Sequence, residues 1–193
     1  MKTITHTNPK GKHVTIGENV TIGEHVTIGK HANIGNNANV GEHANIGKNA
    51  NIGVGSYIGK NAIIGSYSTI CSYSIVSVGS YIGEYVIIGR GSTIGREVTI
   101  GEDANIGEHA TIGSNSTVGS HSTVGKNVLI GEDVTIGKYV LIGEHATIGK
   151  HVTIGNNANV GEHANVGRNV TIGKNAIVSK NATIDRDTTI GLE

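Results

Sequence analysis

Along this chain Ile or Val returns at every sixth position from Ile16 to Ile190, thirty times without an insertion, and 26 of the 30 positions that follow are Gly. A period held over that length indicates stacked repeats, in which each unit buries its apolar side only against its neighbours. With Ile or Val as position 1, the unit reads (Ile/Val)-Gly-x-x-(Val/Ala/Ser)-(Thr/Asn), as in Ile16-Gly17-Glu18-Asn19-Val20-Thr21. Position 5 is small to medium throughout: Val at ten places, Ala at twelve, Ser at seven and Thr188 once. On an extended backbone positions 5 and 1 share one face, and Thr or Asn at position 6 shares the other with Gly at position 2. The pattern therefore predicts very short strands of the form small, Thr, Ile, Gly, with positions 5 and 1 inward.

Position 4 predicts the turns. It is Asn, Asp, His or Gly nearly throughout, as at Asn19, His25, Asn37, Gly55, Asp103 and Asp133. Asn, Asp and His are the non-glycine residues that best tolerate positive φ, and Gly takes it without steric cost. A sharp turn every six residues suits a triangular coil of three hexapeptides. Residue n then lies beneath residue n+18, Ile16 stacks on Ile34 and Ile52, and backbone bonds run between coils as in a parallel sheet. Thirty hexapeptides give about ten coils, a prism roughly 47 to 49 Å tall at the usual strand spacing.

These motifs, over about residues 14–191, resemble the left-handed parallel β-helix of the hexapeptide-repeat superfamily, whose members include bacterial acyltransferases that use acyl-CoA or acyl-carrier-protein donors. The resemblance implies an all-β triangular solenoid, and it alone supplies the hand, because parallel crossovers elsewhere are overwhelmingly right-handed. Residues 1–13, with Pro9 and Gly11, leave the repeat and read as an N-terminal cap over the first coil. Residues 14–191 form the β-helix, and Leu192-Glu193 reads as a cloning-site remnant. Repeats that stay in register almost to the last residue predict a weakly capped C-terminal edge able to stack end to end.

Composition narrows the function classes. Six Tyr with no Phe or Trp exclude a core of large rings, and 15 basic against 15 acidic residues remove the electrostatic case for a nucleic-acid or membrane partner. Neither a signal peptide nor an apolar run of 18 is present, so a soluble, cytoplasmic protein is expected. The single Cys71 excludes an intrachain disulfide.

Departures from the repeat concentrate between Val54 and Ser92. Position 3 becomes Val54 and Val78; outward position 6 becomes Tyr57, Ile63, Ile75, Tyr81 and Ile87; turn position 4 becomes Tyr67, Tyr73 and Tyr85; position 2 becomes Cys71 and Ser77. The spacing of 18 puts Tyr67 beside Tyr85, Tyr57 beside Ile75 and Ile63 beside Tyr81, an apolar belt around the prism. An exposed aromatic and aliphatic belt on a polar solenoid reads as a contact surface, and self-association is expected. Scattered Leu129, Leu141 and Ile177 are expected only to raise strand propensity. Ser56, Ser74 and Ser92 would stack inside as a hydroxyl ladder.

Nine of ten histidines occupy turn position 4, which reads as substitution for Asn. His13 with His31, His25 with His43 and His145 with His163 would stack about 5 Å apart and could pick up stray Zn²⁺ or Ni²⁺, but no metal site and no cofactor are assigned. No residue matches a catalytic motif of the acyltransferases, whose catalytic His sits beside a looped excursion that this chain lacks between Ile16 and Ile190. A file of Thr99, Thr117, Thr135, Thr153, Thr171 and Thr189 raises ice binding, although its companion column is Gly. The reading favoured is an idealised, designed-looking scaffold without catalytic activity. The alternative is an acyl-CoA-dependent acyltransferase solenoid without its catalytic excursions.

Overall fold

The computed structural model describes residues 13–191. It contains thirty two-residue strands, from Thr15–Ile16 to Thr189–Ile190, one in every hexapeptide. They assemble into three ten-stranded parallel sheets, each built from every third strand. The first face starts at Thr15–Ile16, the second at Thr21–Ile22 and the third at Thr27–Ile28. Register is n to n+18 throughout: Ile16 pairs with Ile34, Val76 with Ile94 and Ile172 with Ile190. All but His13 of the expected N-terminal cap, and the expected remnant at Leu192-Glu193, lie outside the described residues.

The hexapeptide folds this way because each of its six positions has a separate task. Positions 1 and 5 point inward, and Ile34, Ile52, Ile70, Ala62 and Val98 are all fully buried. Successive coils are joined by backbone bonds at three points of each repeat, illustrated by Thr15 N to Ala32 O at 3.1 Å, Gly17 N to Ile34 O at 2.8 Å and Asn37 N to Glu18 O at 2.8 Å. Turn position 4 takes positive φ in every described repeat, from His13 to Asp187, with Asn19 at 54° and Gly55 at 66°. At the two ends of the stack Ile16, Ile184 and Ile190 are only partly buried, whereas Ile22, Val26 and Ile28 of the first coil are buried.

Glycine at position 2 is dictated by the following coil. A Cβ at Gly59 would come within 2.6 Å of the Ser77 carbonyl carbon and the Val78 nitrogen, closer than packed atoms tolerate. Cys71 and Ser77 carry a Cβ there, and their bonds to the next coil lengthen to 2.9 Å and 3.0 Å, against 2.7 to 2.8 Å at the equivalent glycines.

The seven inward serines are satisfied without any ligand. Ser56 donates to Cys71 O, Ser74 to Gly89 O and Ser92 to Gly107 O, each a coil away, and no buried side-chain polar atom among the described residues lacks a partner. Ser68 also accepts from Val86 N at 3.0 Å, so its hydroxyl bridges two coils. The serine ladder is a structural feature of the wall.

Candidate interaction surface

The three corners of the prism separate the faces. One corner, between the third and first faces, brings Tyr67 and Tyr85 together as a parallel stack with centroids 5.0 Å apart and planes within 6°. On the adjoining third face Ile63 pairs in register with Tyr81, and on the first face Ile87 lies between Thr69 and Asn105. On the second face Tyr57 pairs with Ile75. Tyr73 stands alone on the corner between the first and second faces, its ring lying over Gly55 one coil away, where a Cβ would meet ring carbons at 2.9 Å. Each face therefore contributes to the belt, with the first face contributing least.

All eight residues are exposed, Tyr73 by 58%, although their backbones are held in the sheets or turns. Two cations lie over the rings: the Arg90 guanidinium is 5.5 Å from the Tyr73 centroid and Lys48 Nζ is 6.0 Å from that of Tyr67. Burial pushes the Cys71 thiol pKa up, with Glu108 adding to it, so the thiol stays protonated at neutral pH.

The backbone makes these tyrosines informative. Tyr67, Tyr73 and Tyr85 hold φ of 61°, 61° and 57°, a region that costs a side chain with a Cβ about 1 to 2 kcal/mol. The other turns take Asn, Asp, His or Gly almost throughout, so the sequence carries bulky rings where the backbone least favours them. Strain of this kind tends to persist where a side chain serves function. Tyr139, stacked on His121 at 4.9 Å outside the belt, shows that a turn tyrosine is also tolerated with only one ring beneath it.

Sequence reasoning missed one concavity. On the first face Thr123, Leu141 and Asn159 lie beside the glycine column Gly125, Gly143 and Gly161, leaving an open groove of about 350 Å³ edged by Glu144 and Glu162. The signal was present, since a Leu at outward position 6 next to side-chain-free glycines must leave a trough. On the third face the threonine file from Thr99 to Thr189 is continuous, and the glycine column beside it leaves a single row of hydroxyls. Among the described residues no helix is long and apolar enough to cross a membrane.

Comparison with known proteins agrees with this geometry. The family described as Bacterial transferase hexapeptide (six repeats) matches at residues 79–114, 91–126, 103–136 and 127–162, and that described as Hexapeptide repeat of succinyl-transferase matches at 146–186. The chain belongs to the hexapeptide-repeat superfamily. Its fold is the left-handed parallel β-helix. Among solved structures, the UDP-N-acetylglucosamine acyltransferase of Francisella novicida is similar at 24% identity and TM-score 0.57, over 88% of this chain and 62% of that one. LpxA of Bacteroides fragilis, a UDP-N-acetylglucosamine acyltransferase, is 23% identical with TM-score 0.54, over 82% of this hexapeptide-repeat chain and 66% of its own. LpxA of Acinetobacter baumannii is 17% identical with TM-score 0.53, over 89% and 71%. The chain thus spans less than two thirds of the Francisella and Bacteroides enzymes, and the likeness is one of fold. No curated protein matches the sequence.

Proposed function

We propose that this hexapeptide-repeat protein is a rigid β-helical scaffold, without catalytic activity, that associates with copies of itself through the belt of Tyr57, Ile63, Tyr67, Tyr73, Ile75, Tyr81, Tyr85 and Ile87. The observation that carries the reading is the set of three turn tyrosines held at positive φ within the same three coils that expose five large residues at position 6. Each turn tyrosine carries a backbone cost, and with the exposed position 6 residues they make one apolar surface. The uniformity of the other coils supports an idealised, designed type of sequence. Replacing Ile63, Tyr81 and Ile87 together by Thr, the residue most often found at position 6, leaves the core untouched. The triple variant is expected to be monomeric by sedimentation equilibrium where the parent is oligomeric. An unchanged molar mass overturns the interface.

A second reading, favoured by the acyltransferases among the similar structures, is an acyl-CoA-dependent transferase solenoid. The even six-residue spacing of strands from Thr15 to Ile190 supports the scaffold over it, since it leaves no looped excursion to carry a catalytic side chain. Calorimetry with acetyl-CoA separates the two: measurable affinity supports the transferase, and none supports the scaffold.

A further inference from the structure

Three imidazole pairs stand one coil apart on the corners: His13 over His31 at 5.3 Å, His25 over His43 at 4.8 Å and His145 over His163 at 4.9 Å, with planes within 15° of parallel. Every one of these rings is exposed, so each can turn about its side-chain bonds without disturbing the core. Two imidazoles on turns one coil apart, both facing solvent, can rotate from stacked to convergent and close on one ion at the usual metal–nitrogen distance of about 2.0 to 2.1 Å.

The pairs differ in what flanks them. Glu24 and Glu42 precede His25 and His43, and Glu144 and Glu162 precede His145 and His163. Within each set one carboxylate is engaged, Glu42 with Lys60 at 3.0 Å and Glu162 with Lys180 at 2.6 Å. No cation pairs with Glu24 or Glu144 among the described residues, so each of these corners keeps an uncompensated negative charge beside its imidazoles. Both histidines of each pair also act on the neighbouring carboxyl, helping Lys60 and Lys180 to hold Glu42 and Glu162 below the usual range. Around His31 the field has the opposite sign: desolvation, then Lys30, His13 and Lys48, lower its pKa.

The two acidic corners are copies of one another. Residues 23–49 and 143–169 are identical at 22 of 27 positions, and Lys60 and Lys180 keep the same offset of 120. Because 120 is not a multiple of 18, the copies lie on different corners, and each presents the same four side chains with the same lysine closing one of them.

We propose that His25 with His43, and His145 with His163, form two equivalent binding sites for divalent transition-metal ions of the Cu²⁺, Ni²⁺ and Zn²⁺ class. Two imidazoles supply the protein ligands, water completes the shell, and Glu24 or Glu144 supplies attractive charge. No cluster of three or more metal-ligating side chains occurs among the described residues, so these are open, two-imidazole sites that suit ions favouring nitrogen. Each ion takes a ring nitrogen that carries no proton.

Asn is the natural replacement, because it serves the same positive-φ turn at many other corners. Titrating Ni²⁺ or Cu²⁺ into the untagged full chain at neutral pH, by calorimetry, is expected to give two ions per chain. Combined His43→Asn and His163→Asn substitution is expected to weaken uptake by about tenfold or more, as loss of a ligand should do at least what loss of its outer-shell support does. Substitution His31→Asn leaves both sites unchanged. Undiminished binding by the double variant, with its β-helix intact by circular dichroism, overturns the proposal. So does loss of binding in H31N, which would place the ion at the lysine-flanked pair.

Discussion

The central coils, residues 49–102, and the flanking coils share one backbone yet present opposite surfaces. In both, Ile or Val at position 1 and a small residue at position 5 are buried, and register is n to n+18. In the flanking coils the outward positions form polar ladders, such as Asn157 Nδ2 to Asn175 Oδ1 at 3.2 Å and Lys150 Nζ to Glu132 Oε2 at 2.7 Å. In the central coils the outward positions carry Tyr, Ile and Val, two glycines of position 2 are lost, and the backbone bonds from Cys71 N and Ser77 N are 2.9 and 3.0 Å. The comparison teaches that positions 1 and 5 fill the core and positions 2 and 4 constrain the backbone, while positions 3 and 6 are the freest to specify a surface. A repeat protein can thus vary its surface without renegotiating its core.

The largest effect expected is one that ignores the difference between the regions. Truncating a buried ladder residue to Ala, Ile88 in the centre or Ile148 in the flank, should cost about 2 to 5 kcal/mol in each case. Chemical denaturation of the two variants checks this, and a much smaller cost in the centre would mean its core is not packed like the rest. Glycine comes next. Placing Ala at Gly59 should destabilise by about 1 to 3 kcal/mol through overpacking against Ser77 and Val78, whereas Ser77→Gly, which removes such a clash, should stabilise.

The turn tyrosines sharpen the comparison further. Exchanging Tyr73 for Asn should raise the stability of the dissociated chain by up to about 1 kcal/mol, by relieving the positive-φ cost, while weakening self-association. A variant less stable in dilute solution would show that the ring's contacts with Gly55 and Arg90 outweigh the backbone preference.

The smallest effects concern charge. Lys60 and Lys180 hold the carboxyls of Glu42 and Glu162 below the usual range, first by hydrogen bonding and then by charge. A depressed acid stabilises the fold above its unfolded pKa, and the contribution is lost as pH falls through the folded value. A modest decline in melting temperature is expected in acid below the carboxylate range, and it should shrink in a Lys60→Ala, Lys180→Ala double variant. His31 adds a separate step. Its pKa is lowered, so the unfolded chain binds more protons, and stability should fall as pH drops from neutral through the histidine range. Substitution His31→Asn should flatten that part of the profile.

Nearly all of the fold was legible in the sequence because a one-dimensional stack has only local rules. The sixfold period locates every described strand, position 4 locates every described turn, and the spacing of 18 places Tyr67 on Tyr85 and His145 on His163. What escaped was what depends on atoms meeting between coils. The reach of Ser68 to both Gly83 O and Val86 N, the folding of Tyr73 over Gly55 and the lengthened bonds at Cys71 and Ser77 are distances of a few tenths of an ångström, set by packing. The groove beside Leu141 escaped because the residue was read for strand propensity alone, without the glycines at its side. For the surface, the sequence marked which residues depart from the repeat, and the structure added that three of them hold an unfavoured backbone.

The central claim is that the belt exists to be covered by another copy of this chain. Sedimentation equilibrium of the unsubstituted protein across a range of concentrations tests it most directly. The account predicts a molar mass of at least twice 19.9 kDa at micromolar concentration. A single 19.9 kDa species at every concentration would contradict it.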